Sequence, residues 1–295
     1  MANNLPLEKK AQIIQLLVEG NSMRSTSRIA DVSINTVSKL LVDVGNACRR
    51  FHNDKVMKVD CKKIQCDEIW SFVYAKEKNV PEEQKGEVGD VWTWTAIDAE
   101  TKLMVSWYVG IRDTESAHSF MWDLARRLKD RIQLTSDGHH PYLKAIKDVF
   151  GTDIDYGRLI KMYGKPLQNE NRYSPAECVG CEKKPVIGNP EFEDISTSYA
   201  ERQNLTMRMS MRRFTRLTNA FSKKLDNHCH AIALHFVYYN WSRIHKSLRV
   251  TPAMQAGLTN QIMEISDIVM LTEKYPKPEP GSIFDIDNLS DEKSN

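Results

Sequence analysis

Between Ser196 and Leu217 the sequence reads STSYAERQNLTMRMSMRRFTRL, with no Gly or Pro. Its apolar residues recur at helical spacing, Leu205 with Met209, and Met207 with Met211 and Phe214. A second stripe carries Glu201, Asn204, Arg208, Arg212 and Arg216. One helix over this stretch would present a carboxylate near its start and a ladder of guanidinium groups behind it. Such an acid is either a salt-bridged surface group or a metal ligand followed by phosphate-holding arginines, and the rest of the chain has to decide.

From the N-terminus, Leu7–Glu19 has an amphipathic helical pattern that stops at Gly20. A short helix around Met23–Ala30, a tight turn at Asp31-Val32, and Ser33 capping a third helix through Val44 make a helix-turn-helix pattern. On that third helix Asn35, Thr36, Ser38 and Lys39 are free to meet a DNA groove while Val37, Leu40 and Leu41 pack. The alternative is a plain three-helix packing unit. Residues 47–58 are polar and basic and read as a linker or the helix's end.

From Lys63 the period becomes two. In KIQCDEIWSFVYAK the apolar residues Ile64, Cys66, Trp70, Phe72 and Tyr74 share one face, with Gln65, Asp67 and Ser71 on the other. Asp67 and its neighbour Glu68 should therefore point to opposite sides, so that only one joins a given site. A hairpin over 91–109, a helix from Asp113 to about Lys129, a strand over 131–136, a helix over 139–150 and a strand over 154–163 follow. This order predicts an α/β fold, a mixed sheet with helices on its faces. Asp137 falls where a strand turns into a helix, the place where open α/β sheets bind ligands, and a helix cap explains it equally well. Residues 164–194 are rich in Pro, Gly and Asn and read as an insertion. It holds Cys178-Val179-Gly180-Cys181, half of a zinc ligand set with no second half nearby. A helix over 226–243, carrying His228, His230 and His235 as packing residues, and a short one from Pro252 close the ordered part. The expected domains are 1–50, helix-turn-helix; 60–258, catalytic α/β; and 259–295, an acidic, partly disordered tail.

Charge sharpens the picture. The chain of 295 residues has a net charge of only +2, yet residues 201–249 hold ten basic residues against Glu201 and Asp226. A segment at +8 is the electrostatic footprint of a polyanion partner. Six cysteines without a secretory leader, and no apolar run of about 20 residues, predict a cytoplasmic protein that does not enter membranes.

Asp67, Asp137 and Glu201 lie on three elements that this order can gather at one sheet edge. Three carboxylates so placed repel one another, and two divalent ions between them remove the conflict. Mg2+ suits oxygen ligands and binds phosphate as well, and Mn2+ could substitute. The stretches CDEIWSFV, TSDGHHPY and YAERQNLTMRMSMRRFTRLTNAFSKK resemble the three catalytic blocks of insertion-sequence DDE transposases, closest to the IS-one family, and GNSMRSTSRIADVSINTV resembles their helix-turn-helix. The resemblance runs to about Leu258. It implies a ribonuclease H-like core, Mg2+-dependent strand cleavage and transfer, and metal ligation by Asp67, Asp137 and Glu201. It also implies a phosphate-binding role for Arg208, seven residues after the glutamate. Partners would be double-stranded DNA (element ends and target) and further copies of the chain, a homodimer or larger on DNA, associated with the nucleoid. An N-terminal zinc module frequent in that family is missing from the first sixty residues. Two other readings stay open, a non-catalytic DNA-binding protein and a nuclease without strand transfer.

Overall fold

The strand carrying the first acid is the middle of everything. In the computed structural model, which describes residues 5–84, 86, 88–164, 178–215 and 220–277, β1 (Lys63–Val73) pairs on one side with β2 (Gly89–Asp98), antiparallel, and on the other with β4 (Gln133–Ser136), parallel. β2 turns back into β3 (Met104–Gly110), and the turn is held by Asp98, whose carboxylate accepts from Thr101 Oγ1 at 2.5 Å and Thr101 N at 3.0 Å. β4 pairs in parallel with β5 (Asp155–Tyr163), and β5 antiparallel with β6 (Cys178–Ile187). The six-stranded order is β3-β2-β1-β4-β5-β6, a mixed sheet. Its parallel pairs are joined by helices, as parallel strands require: α4 (Thr114–Arg127) leads into β4 and α5 (Pro141–Phe150) into β5.

β6 corrects the sequence reading, which left 164–194 as an insertion without a strand. CVGCEKKPVI lacks alternation because this edge strand is largely exposed on both faces, so no apolar period marks it. The two thiols lie 3.9 Å apart on it, both exposed.

The N-terminal segment forms α1 (Leu7–Val18), α2 (Met23–Ile29) and α3 (Ile34–Lys55). Ser22 and Ser33 cap the second and third, accepting from Ser25 N and Thr36 N at 3.1 Å each, and Asp31 takes the left-handed turn at φ 48°. α3 runs eleven residues past the Val44 stop expected from sequence and lies along α7 (Leu225–Val237). Gly45 permits that approach: a Cβ there would meet the Cβ of His230 at 2.5 Å. Gly45→Val is therefore expected to destabilise the protein by about 1–3 kcal/mol, readable as a lower urea midpoint. His52, near the end of α3, is buried against the sheet, 3.0 Å from the Val105 carbonyl and over Trp107. One cluster of buried residues consequently runs from Ile13 and Val37 to Trp94 and Leu134.

The basic segment is not one helix. α6 (Ser198–Ser210) ends at an extended Met211, and a 3-10 turn covers Arg212–Phe214. Met211 and Phe214 leave the helix to join Met207, Ile69 and Phe236 in a second buried cluster. Arg212 is thus off the Glu201 stripe, and Arg216 lies outside the described residues. Leu205 and Met209, expected to pack, are exposed. After α7 and a π-helical turn (Tyr238–Ser242), α8 (Pro252–Gln255) and α9 (Ile265–Lys274) follow. α9 sits within the segment read as tail and buries Ile268, Val269 and Leu271; residues 278–295 lie outside the described residues. No helix among the described residues is long and apolar enough to cross a membrane.

Candidate active site

The β1–β4 register decides where the acids meet. Lys63 pairs with Gln133 and Gln65 with Thr135, so the same offset carries Asp67 alongside Asp137 just past the end of β4. Asp137 is not the cap of α5. Its Oδ1 accepts only from His139 N, at 2.8 Å, while α5 starts at Pro141. Asp67 Oδ1 accepts from the backbone N–H of Glu68 at 2.9 Å.

α6 lies over this strand end because of a residue that sequence reasoning passed over. Gln65, two positions before Asp67 and buried, accepts through Oε1 from Tyr199 N at 2.7 Å and Ala200 N at 3.4 Å. It serves the start of a helix that has no side-chain cap of its own. One turn along, Asn204 donates through Nδ2 to Asp67 Oδ2 at 2.8 Å. Glu201 sits on the same stripe but faces sideways: its carboxylate is ion-paired with Lys161 of β5 and accepts from Thr197 Oγ1 at 2.5 Å.

The tightest group of acids differs from the expected trio. Asp67, Glu68 and Asp137 offer carboxylate oxygens within 4.8 Å of one another, the one such group of potential metal ligands among the described residues. Strict alternation had assigned Asp67 and Glu68 to different sites. Here β1 outruns β4, which pairs only as far as Gln65, so past that point both side chains reach the open strand edge. Nor are the acids without basic partners, as the sequence suggested. Arg112, in the loop after β3, donates to Glu68 Oε2 from Nη2 at 3.0 Å and Nε at 3.2 Å, and reaches within 3.8 Å of Asp137.

Burial, with the Asp137 charge next, pushes both the Asp67 and the Glu68 carboxyls up to about 7. Glu201 adds to the effect on Asp67. His139 is held down at about 4, by burial and then by Arg112, so its ring is neutral at pH 7. Buried carboxylates crowded together without enough positive charge are a ready-made hard-cation site: all-oxygen donors, high mutual repulsion and partial desolvation.

The residues expected to meet DNA fall in two places. On α3 Asn35 and Lys39 are exposed and Thr36 and Ser38 half-buried, with Thr36 Oγ1 hydrogen-bonded to Ser33 Oγ at 2.8 Å. Arg208 follows Asn204 by one turn and is half-buried. Arg212 opens onto a groove of about 850 Å³ between the N-terminal helices and two short stretches, residues 210–213 and 220–223. Arg24, Arg213 and Lys223 line it too, and among the described residues no acid does. Arg213 is held down at about 10 by burial and donates to Ser222 Oγ. Ser222 in turn bonds His228 Nδ1 at 3.2 Å, whose Nε2 meets Ser71 Oγ of β1 at 3.1 Å. His228→Ala removes the ring that joins Ser71 to Ser222, leaving Ser71 only its bond to the Val91 carbonyl and Ser222 only its bond from Arg213, and empties a fully buried position; it is expected to cost about 2–4 kcal/mol in chemical unfolding.

The sequence matches no protein-family model and no curated protein. Among solved structures it is similar to the Mos1 strand transfer complex, at 14% identity and TM-score 0.24 over 53% of this chain and 59% of that one. It is also similar to the Mos1 paired-end complex with left transposon end, at 12%, 0.23, 53% and 60%. For the Mos1 mariner paired-end complex with Mn the values are 11%, 0.28, 80% and 78%. The chain thus spans about three fifths of the first two. Likeness this slight bears no weight, and the functional argument rests on the site.

Proposed function

We propose that this protein is a DDE-type transposase, built on a ribonuclease H-like core, that binds the ends of its own element and performs Mg2+-dependent cleavage and strand transfer. The observation that carries the reading is the convergence of Asp67, midway along β1, and Asp137, just past the end of β4, beneath a helix that carries Glu201 and is tied to Asp67 through Asn204. The antiparallel meander β3-β2-β1, whose last strand is the first of three parallel ones, agrees with that core.

The donor set fits the metal. Asp67, Asp137 and Glu201 would hold the ions, and the buried carboxyls gain most from the added positive charge. When bound, two Mg2+ ions supply an activated water or 3′-hydroxyl and stabilise the leaving oxygen of the phosphodiester. The protein's own part is positional. Asn204 keeps the Asp67 carboxylate oriented, and Lys161 holds Glu201 at the rim until it is drawn in. Arg208, Arg212 and the acid-free groove hold backbone phosphates, and Asn35, Thr36, Ser38 and Lys39 face the duplex. Arg216 extends the same basic run. Both element ends must be held at once, so the working form is a dimer or larger on DNA.

The test is direct. Purified protein, Mg2+ and a linear duplex bearing the inverted repeats that flank the gene should give nicks at the repeat ends and joined strands. Binding without nicks would make it a non-catalytic DNA-binding protein; nicks without joints would make it a nuclease. Lys39→Ala and Arg208→Ala should each weaken duplex binding and lower the slope of log affinity against log salt by about 1, measured by fluorescence anisotropy across salt concentrations.

A further inference from the structure

The cluster holds one carboxylate more than the proposed chemistry uses. We infer that Glu68 is itself a ligand of the divalent cation, and that Arg112 is its stand-in counter-ion, displaced when the cation arrives; this rests on the metal-site reading above.

Glu68 is the most enclosed of the three clustered acids, with 1% of its side chain exposed. Its two oxygens are treated unequally. Oε2 takes two hydrogen bonds from Arg112, while Oε1 is buried without a hydrogen bond of good geometry, and the equally buried Tyr142 hydroxyl is the carboxylate's other polar neighbour. An enclosed carboxylate oxygen without a well-formed hydrogen bond is expensive, and one oxygen of this carboxylate lies within 4.8 Å of an oxygen each of Asp67 and Asp137. A cation in their midst would satisfy all three at once. Glu68 reaches that position from the opposite pleat because its side chain is one methylene longer than that of Asp67.

Arg112 has the attributes of a removable placeholder. It stands in a loop, directly before the Asp113 cap of α4, so it moves without disturbing a strand. A third of its side chain is exposed, and its guanidinium rests over the Trp92 ring, 4.8 Å from the centroid. One guanidinium also touches Asp137 at 3.8 Å, so it neutralises the pair imperfectly. A fixed structural ion pair would have no reason to leave one oxygen unbonded beside two further acids.

A purely structural Glu68 and a ligating Glu68 predict opposite consequences for Arg112. Mn2+ binding by the full chain, without DNA, is measured by titration calorimetry for wild type, Glu68→Gln, Glu68→Asp, Arg112→Gln and Asp67→Asn. Ligation predicts that Glu68→Gln weakens Mn2+ affinity at least tenfold, while Arg112→Gln, which keeps the carboxylate and removes a competing cation, tightens it about threefold or more. If Glu68→Gln fails to fold by circular dichroism, Glu68→Asp carries the test. It keeps a charge near Arg112 but withdraws the ligand atom, and should also lose about tenfold. Affinity within twofold of wild type in the Glu68 variants, with Asp67→Asn deficient, overturns the inference, as does an Arg112→Gln loss matching that of Glu68→Gln. Asp67→Asn binding as well as wild type would instead sink the underlying site reading.

Discussion

Asp137→Asn is expected to lower Mg2+-dependent strand cleavage by at least about 10³-fold while leaving duplex affinity within about twofold. Amide for carboxylate changes almost no volume, and an asparagine Oδ1 can still accept from His139 N, the one hydrogen bond that ties this side chain to its turn. The fold therefore has little reason to respond. What disappears is a negative charge at the point where β4 ends beside Asp67. Groups that act as a unit around metal ions are strongly non-additive, so losing one should remove most of the rate enhancement rather than a third of it. Glu201→Gln should behave alike in cleavage. It differs in breaking the ion pair with Lys161, which adds net positive charge near the proposed DNA path. Cleavage assays with a labelled repeat end, beside anisotropy for binding, separate the two effects. Cleavage within about tenfold of wild type in Asp137→Asn would remove Asp137 from the machinery, and a parallel collapse in binding would point to a positioning role instead.

How much of this was legible in the sequence depended on whether the deciding interaction was local. The Ser33 cap and the tight turn at Asp31 are set by residues within four positions, and reading them residue by residue placed the start of α3 correctly. The Asp98 turn and its two strands were visible for the same reason. Long-range packing was not visible. Nothing within the basic segment says that Met211 and Phe214 will abandon a helix for Ile69 and Phe236, and intrinsic propensity alone favours continuing it. β6 is an edge strand without a buried face, so it carries no period to read. α9 hid behind acidic composition, although Ile265, Ile268, Val269 and Leu271 have helical spacing once composition is set aside. In the site, the places of Asp67 within β1 and of Asp137 past the end of β4 followed from element order. Glu68 did not, because alternation puts it on the opposite pleat, and only its longer side chain, past the last pairing of β1 with β4, brings its carboxylate beside the other two. The Gln65 bond to the start of α6 had one faint signal, a long polar side chain on the Asp67 face of an otherwise buried strand.

The second large effect concerns the metal-free protein, in which the site works against the fold. Asp67→Asn should raise metal-free stability at pH 7.5 by about 1–3 kcal/mol, since one unit of displacement corresponds to about 1.4 kcal/mol. The Asp67 carboxyl is pushed from 3.8 to about 7, burial first and Asp137 second. The amide keeps the bond from Glu68 N, and Asn204, whose Oδ1 is buried without a partner, can turn its amide to accept from the new donor. The sign follows from proton binding. Between its ordinary value and about 7 this acid holds more proton in the folded state than in the unfolded one. Its favourable contribution is complete below about pH 4 and is lost as pH rises to about 7. Glu68 adds in the same direction. The buried His52, His228 and His235, held well below 6.5 chiefly by burial, act oppositely: their contribution is present above 6.5 and lost as pH falls. The melting temperature without metal should thus rise towards pH 6–6.5 and then decline by pH 8. The decline should be smaller in Asp67→Asn, where Glu68 keeps its own share. Saturating Mg2+ should abolish it in wild type, raising the midpoint by several degrees at pH 8 and by little at pH 5.5, where protons already occupy the acids. Differential scanning calorimetry at the two pH values decides it, for a Mg2+ shift equal at both would mean that these carboxyls are not where the ion binds.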